Sequence, residues 1–240
     1  MTPLNIYSMK KIFYSVVFLA GITYTASGQR ISIAPEIGVN FSTINTQWFG
    51  YSVDNGYKSG LKLGGIVDIN LGSRLSLQPG IFYNGKGSEN HYLRSYRAGN
   101  NWYTEDIERE IRIKYLEIPL NLMYNFGNGG FFAGGGPYIA FAVDGDLEFD
   151  RQVRLQNEAG TLIDRNATQF DLEIGDDPEE DDVTRKDLGL NFNAGYMWRK
   201  GFYLRGNVGL GLSNIVPDGN EDFSAKNFSL GLSLGYLFGR

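Results

Sequence analysis

Residues 228–238 read FSLGLSLGYLF, and the alternation in this segment decides the fold. Every second residue from Phe228 to Phe238 is a large apolar one, and the residues between them as far as Gly235 are Ser or Gly. Successive side chains of a β-strand point to opposite faces, so the segment predicts a strand with one apolar and one small polar face. Such a small face suits the narrow inside of a barrel better than a solvated exterior, which would carry more Lys and Glu.

The same alternation recurs in seven further runs of about ten residues. They lie at residues 31–41, 61–71, 75–84, 116–126, 131–143, 188–198 and 202–212. About ten residues is the length that a tilted strand needs to cross a bilayer, and an even number of strands closes without an unpaired edge in lipid. The sequence therefore predicts an all-β protein, an eight-stranded antiparallel up-and-down transmembrane β-barrel.

The connections between these runs alternate in length. Short connections lie at 72–74, 127–130 and 199–201, and long ones at about 42–59, 86–110, 145–186 and 214–226. Outer-membrane barrels have short periplasmic turns and longer outer loops. We therefore expect four long outer loops and both termini in the periplasm. Aromatic residues near the strand ends suit the two membrane interfaces: Tyr83, Tyr124, Phe126, Tyr196, Trp198, Phe202, Tyr236 and Phe238.

A soluble β-sandwich or a lipocalin-like barrel is the alternative. Such a fold places its bulky aliphatic face inside and a charged face in water. The Gly, Asn and Ser residues of this chain, which has 32 Gly in 240 residues, favour the membrane barrel.

The N-terminus has the pattern of a secretory signal peptide. Met9-Lys10-Lys11 precedes an apolar run at 12–22, and small residues follow up to Gly28. The run is too short for a transmembrane anchor, which needs about 20 apolar residues. We predict a signal peptide over residues 1–28, with Met9 as the true start, and an outer-membrane barrel domain over 29–240.

Composition excludes several classes of site. The chain has no Cys and one His, His91, which argues against thiolate metal sites, iron–sulfur clusters and a His-based metal centre. A net charge of −5 and a pI near 5.0 argue against nucleic-acid binding, which needs clustered Lys and Arg. We predict no catalytic, cofactor-binding or metal-binding residues.

Five charged residues fall on the inward parity of their strands: Glu36, Lys62, Asp68, Glu117 and Arg205. The interior of an eight-stranded barrel is just wide enough to be filled by side chains. These residues predict a polar network in the lumen, which is either an ion-paired plug or a proton or ion path. Arg112 and Lys114 fall on the lipid-facing parity above the apolar part of their strand, where they contact either lipid phosphates or solvent.

The long loops carry two further patterns. Four aromatic residues near Arg94 and Arg97 form a partner or glycan surface or pack on the barrel rim: Tyr92, Tyr96, Trp102 and Tyr103. Residues 171–182 read DLEIGDDPEEDD, with eight acids in twelve positions, either a solvated tip or a Ca²⁺ site, although the spacing does not match an EF-hand loop. Loose alternation at 147–155 and 162–174 predicts a hairpin beyond the membrane.

Five segments of the chain carry a further pattern: MKKIFYSVVFLAG near the N-terminus, PEIGVN at 35–40, YLEIPL at 115–120, GGGPY at 134–138 and the closing strand at 229–238. In these segments the chain resembles the PorT-like outer-membrane β-barrel family of Bacteroidetes. The resemblance implies an outer-membrane barrel, and the named member of the family takes part in type IX secretion and gliding. The chain departs from the usual terminal assembly signal, because it ends Phe238-Gly239-Arg240 and not on an aromatic residue.

The sequence is compatible with three functions. The first is a non-enzymatic barrel with a plugged lumen, acting as a structural or interaction subunit of an outer-membrane complex such as the type IX secretion machinery. The second is a small channel or ligand-uptake barrel, and the third is a lipid-modifying enzyme that uses His91. The expected partners are outer-membrane lipids and lipopolysaccharide, an outer-membrane protein complex, and the barrel-assembly machinery during insertion.

Overall fold

The computed structural model describes residues 30–239 except 54, 128–129, 157–159 and 221. The predicted signal peptide lies outside the described residues. The strands are β1 (Ile31–Trp48), β2 (Tyr51–Val53), β3 (Gly56–Asn70), β4 (Leu75–Ala98), β5 (Asn101–Asn125), β6 (Phe131–Leu155), β7 (Leu162–Asp171), β8 (Ile174–Gly175), β9 (Val183–Thr184), β10 (Lys186–Met197), β11 (Phe202–Gly211) and β12 (Phe223–Tyr236). No helix in the described part of the chain is long and apolar enough to span a membrane.

Eight of these strands close into a ring. Their order is β1-β3-β4-β5-β6-β10-β11-β12, every neighbouring pair is antiparallel, and β12 pairs with β1 to complete the circle. The eight predicted runs lie one in each ring strand, which confirms the eight-stranded barrel. Outside the ring, β2 pairs with β1, β7 pairs with β6, and β8 and β9 form a short parallel pair.

The barrel is apolar outside and polar inside. The side chains of Ile33 and Leu234 are 60% and 59% exposed, whereas Asn40 and Asp187 are fully buried. Apolar surface left in water costs roughly 25 cal/mol per Å², so an aliphatic belt of this kind needs lipid around it. The inward and outward parities predicted from the sequence are confirmed, and the soluble alternative is not.

Three strands run far beyond the barrel on the side of the long connections. Strands β4, β5 and β6 have 24, 25 and 25 residues, whereas their neighbour β3 begins pairing with β4 only at Glu89. We call the distal sheet the free-standing part made by β4 from residue 90, β5 up to residue 113, β6 from residue 145, and β7.

The interpretation of residues 86–110 as a loop is therefore wrong. Strands β4 and β5 stay paired up to Ala98 and Asn101, and the turn between them contains Gly99 with a φ of 61°. Polar residues at alternate positions hid this extension, because only the base of the distal sheet, at Ile111 and Ile113, packs on a buried apolar cluster. The predicted hairpin beyond the membrane is confirmed, since β6 pairs with β7 from Asp146 to Arg154.

The two ends of the described chain meet at the opposite, short-turn end of the barrel. The Phe238 amide donates to the Ile33 carbonyl oxygen, at 2.9 Å. Aromatic rings surround this end in edge-to-face contact, with centroid distances of 4.6–5.3 Å. Seven of the eight predicted interface aromatics belong to it, and Tyr83 lies in the middle of the longer β4 instead.

Aromatic side chains in the lumen lie over glycines of the adjacent strand. Gly64, Gly189, Gly195 and Gly235 stand directly opposite Phe82, Tyr138, Phe132 and Tyr203. A Cβ on Gly189 would lie 2.4 Å from the Tyr138 ring, and one on Gly235 would lie 2.2 Å from the Tyr203 ring. The small polar face seen in the sequence is thus what lets large rings fill a narrow interior.

Candidate functional site

The lumen near the short-turn end holds a hydrogen-bonded group that we call the Arg205 cluster. Arg205 Nη2 donates to Gln78 Oε1 at 2.8 Å, and Gln78 Nε2 donates to Asp68 Oδ1 at 2.7 Å. Tyr203 Oη donates to Glu36 Oε2 at 2.8 Å, and Arg205 Nε lies 3.5 Å from the same oxygen. The Arg205 guanidinium also lies 5.3 Å from the Tyr203 ring centroid. Arg205 therefore links the Glu36 carboxylate directly, the Asp68 carboxylate through Gln78, and the Tyr203 ring.

A second group, the Lys86 cluster, lies closer to the mouth. Lys86 Nζ lies 3.0 Å from Glu117 Oε2 and 3.2 Å from Asp187 Oδ2, and all three side chains are at most 3% exposed. Five neutral side chains donate to the two carboxylates: Asn84 and Asn191 to Glu117, and Tyr138, Ser213 and Asn227 to Asp187. The ammonium also lies 4.4 Å from the Tyr138 ring centroid.

The remaining predicted lumen residue, Lys62, belongs to neither cluster. Its Nζ donates to Asn207 Oδ1 at 3.2 Å and lies 4.6 Å from the Phe82 ring centroid. Four of the five predicted residues are buried in the lumen, and the fifth, Asp68, is only half-buried. The structure joins Glu36 to Arg205 but places Glu117 with Lys86, so the two buried glutamates do not act as a carboxylate pair.

Cavities lie at both ends of the barrel, with the buried clusters between them. A polar cavity of about 420 Å³ at the short-turn end is bounded by Arg205, Tyr203 and Phe132. A cavity of about 470 Å³ lies at the other end, and the two share no lining residue. Four charged residues lie between the two cavities, and each is at most 5% exposed: Lys62, Lys86, Glu117 and Asp187. The described side chains therefore fill the lumen between the cavities.

The second cavity, which we call the mouth cavity, is largely apolar. Its lining includes the buried residues Ile44, Ile113, Val183, Ile215 and Ala225. Val183 is brought there by the segment that contains the acidic run, since Ile174 pairs with Val183 and both pack on this apolar group. The acidic segment therefore covers part of the mouth.

Hydrogen bonds within the acidic run engage several of its carboxylates. Asp181 Oδ2 accepts from the Asp177 amide at 2.7 Å, and Asp182 Oδ2 accepts from the Glu173 amide at 3.1 Å. These are turn-forming bonds between side chains and neighbouring backbone amides.

The predicted partner aromatics lie on strands of the distal sheet. Tyr96 and Tyr103 stack at a centroid distance of 5.5 Å on the face that continues the lumen, and Tyr92 lines the mouth cavity. Trp102 is paired with Arg97, next to the Tyr96–Tyr103 pair, and so points to the opposite face. The four residues therefore do not form one surface.

A buried carboxylate anchors the inner face of the distal sheet. Glu105 accepts from Arg151 Nε at 2.5 Å and from Arg94 Nε at 3.0 Å. These donors, Arg151 first and Arg94 with it, hold the pKa of Glu105 below its ordinary value.

The outer face of the distal sheet, and the strand positions directly next to its base, carry compact ion pairs. Arg112 binds Glu110, Asp146 and Glu148, and Lys114 binds Asp144. Both cations are thus already paired with carboxylates, which favours the solvated interpretation over direct contact with lipid phosphates.

His91 lies on the same outer face. Its Nε2 lies 2.5 Å from Asp106 Oδ1. Among the described residues, His91, Asp106 and Glu108 form a group whose ligand atoms lie within 4.8 Å of one another, and exposed groups of this kind are common without a metal ion. Sequence reasoning missed this group, because only the β4–β5 register brings His91 opposite Glu108.

The model of the family described as "outer membrane protein beta-barrel domain" matches residues 24–217. The chain belongs to this family. No curated protein matches the chain.

Solved structures of outer-membrane proteins are similar to this family member over most of its length. The attachment invasion locus protein Ail of Yersinia pestis, in complex with the heparin analogue sucrose octasulfate, has 14% identity, covers 88% of this chain and 99% of its own, and gives a TM-score of 0.37. OprG of Pseudomonas aeruginosa has 10% identity, 88% and 97% coverage, and a TM-score of 0.35. Neisserial surface protein A has 9% identity, 88% and 99% coverage, and a TM-score of 0.34.

Family membership together with the inside-out barrel locates the protein in the bacterial outer membrane. Within this outer-membrane barrel, sequence reasoning missed Lys86 and Asp187, the centre of the better-connected cluster. Lys86 lies two residues beyond the run that ends at residue 84, and continuing the parity of that run would have found it. Asp187 has the parity of the polar face beside Leu188, so its inward direction followed from the sequence, but its pairing with Lys86 did not.

Proposed function

We propose that this protein is a non-enzymatic outer-membrane barrel that acts as an interaction subunit and presents the distal sheet to a protein partner. The observation that carries the proposal is the length of β4, β5 and β6, which run well beyond the barrel and place an arginine- and tyrosine-rich face outside it. Arg and Tyr are enriched in protein interfaces, because their side chains combine large contact area with hydrogen bonding.

The filled lumen supports the same proposal. A barrel whose interior is occupied by ion pairs and aromatic rings offers rigidity and no wide path for solutes. We propose that the short-turn end and both termini face the periplasm, so that the distal sheet and the mouth face outwards. The resemblance to PorT-like proteins supports a partner in the type IX secretion machinery, with lipopolysaccharide and lipid around the barrel and the barrel-assembly machinery acting during insertion.

The experiment is a mild-detergent pull-down of the tagged protein from native outer membranes with quantitative mass spectrometry. A stoichiometric partner is expected with the wild type and is lost when Tyr96 and Tyr103 are both changed to Ser. The control is Tyr51→Ser, which removes a tyrosine that is 78% exposed at a different hairpin tip. A barrel recovered with lipopolysaccharide alone, or a partner that both variants retain, would contradict the proposed surface.

A small channel or uptake barrel is the second candidate, and the mouth cavity of about 470 Å³ favours it. Planar-bilayer recording separates the two functions. A closed interaction subunit gives no resolved single-channel steps, whereas regular steps that change when Lys86→Met is combined with Glu117→Gln and Asp187→Asn would identify a path through the Lys86 cluster. An enzyme using His91 predicts loss of lipid or peptide hydrolysis in His91→Ala.

A further inference from the structure

The mouth cavity is a blind apolar chamber. Its walls combine aliphatic side chains with neutral polar ones such as Thr46 and Ser88, and Ile44 and Ile113 pack in one cluster with Tyr115 and Tyr138 below. Those two rings lie over Lys86 Nζ, at centroid distances of 5.1 and 4.4 Å, so the chamber ends at the Lys86 cluster. A volume of about 470 Å³ falls within the roughly 300–1,000 Å³ of small-molecule pockets.

One cation in the lining stands apart from the other arginines. Arg109 lies on β5 opposite Asn90 and Phe149, and it lines the mouth cavity. No hydrogen bond or ion pair joins its side chain to another described residue. Every other described arginine of the distal sheet donates to a carboxylate, an amide or a carbonyl: Arg94, Arg97, Arg112, Arg151, Arg154 and Arg165.

The other charge in the lining is already engaged. Asp182 accepts the Glu173 amide at 3.1 Å and so holds the acidic segment over the mouth. It forms no ion pair with Arg109 within the described residues. A ligand with one anionic group is therefore drawn towards Arg109 and away from Asp182, with its apolar part against Ile44, Ile113 and Ile215.

We propose that the mouth cavity binds a small amphipathic anion, namely a carboxylate on an alkyl or aryl body, with Arg109 as the residue that binds the carboxylate. The guanidinium offers a planar pair of donors that matches a carboxylate. Because the chamber is closed below, the ligand enters and leaves by the same opening, and the site captures rather than conducts. This inference goes beyond the proposed function and does not depend on it.

The test uses the full barrel in amphipol, free of detergent, with a brominated medium-chain carboxylate as the probe. Trp48 lines the cavity, so the bromine quenches its fluorescence on binding, in a background where Trp102 and Trp198 are changed to Phe. We expect saturable quenching by the carboxylate and at least tenfold weaker binding of the brominated alcohol of the same length. Arg109→Gln is expected to weaken carboxylate binding at least tenfold.

Two further variants keep the result interpretable. Arg97→Gln removes an arginine at the hairpin tip that is not in the lining, and it should leave binding unchanged. Ala225→Phe fills the chamber from its wall and should abolish saturation, with folding of each variant verified by its heat-dependent migration on gels. An aryl carboxylate run alongside separates alkyl from aryl preference.

Three results would each overturn the proposal: linear, non-saturating quenching of the wild type; equal affinity for the carboxylate and the alcohol; or unchanged affinity in Arg109→Gln. These results do not test the protein partner of the distal sheet. That partner is tested by the pull-down with Tyr96 and Tyr103 changed to Ser, which does not use the brominated probe.

Discussion

Changing Lys86 to Met should strongly destabilise the barrel. The substitution keeps most of the side-chain volume and removes the charge, leaving Glu117 and Asp187 buried without their cation. At separations of 3.0 and 3.2 Å and an effective dielectric constant of about 20, each attraction is about 5 kcal/mol before the cost of desolvation is subtracted. Removing one partner of a buried pair costs about 3–5 kcal/mol, and two orphaned carboxylates place this variant at the upper end.

The assay is denaturant unfolding of the barrel in lipid vesicles, followed by tryptophan fluorescence. Lys226 is the matched control, because it is exposed on β12 and its change to Met should alter the free energy of unfolding by less than about 0.5 kcal/mol. Adding Glu117→Gln and Asp187→Asn to Lys86→Met makes the cluster neutral and should recover most of the loss.

Two outcomes would refute this reasoning. In the first, Lys86→Met stays within about 1 kcal/mol of the wild type, which would mean that water or rearranged side chains compensate the carboxylates. In the second, the neutral triple variant is no more stable than Lys86→Met, which would mean that packing and not charge was lost.

Two further predictions concern packing and pH. Gly189→Ala should destabilise the barrel by roughly 1–3 kcal/mol, because the new methyl would lie 2.2 Å from the Leu210 carbonyl oxygen and 2.4 Å from the Tyr138 ring. Gly206→Ala is the control and should have little effect, because its Cβ would meet nothing closer than 3.8 Å. Equal unfolding midpoints for the two variants would contradict the packing argument. Because the pKa of Glu105 is lower in the folded protein than its ordinary value of 4.5, its ion pairs stabilise the distal sheet fully above pH 4.5. This stabilisation is lost as the pH falls through the lower pKa of the folded state. The protection factors of the amides at the tips of β4 and β5, which are the ratios of intrinsic to observed exchange rates, should therefore fall in acid in the wild type and depend less on pH in Glu105→Gln.

The sequence was sufficient for the ring of strands because lipid imposes a simple rule on it. A strand that crosses a bilayer must show apolar side chains to lipid at every second position, so the runs from Ile31 to Phe238 could be counted without knowing their neighbours. The same parity predicted that Glu36, Lys62, Glu117 and Arg205 lie inside, since direction is fixed by position in the strand.

The distal sheet did not follow from the sequence, because beyond the lipid no face has to be apolar. Residues 86–110 do not alternate between apolar and polar side chains, so the sequence gives no strand signal there. They are strands because β4 and β5 pair along their whole length. As neighbours in a strand, Trp102 and Tyr103 point to opposite faces of the distal sheet.

The tertiary structure alone decided which inward residues meet. Parity assigns a face to a side chain but gives no distance across the lumen, so the partners of Lys86 depended on the stagger of β4, β5 and β10 around the closed ring. The mouth cavity likewise exists only where the acidic segment folds back over the opening and brings Val183 beside Ile44. The amino-acid sequence by itself determined the strands and the face of each residue, because both follow from local geometry. The ion clusters and the blind chamber were decided by closure of the barrel and by the fold-back of the acidic segment, because each joins residues that are distant in sequence.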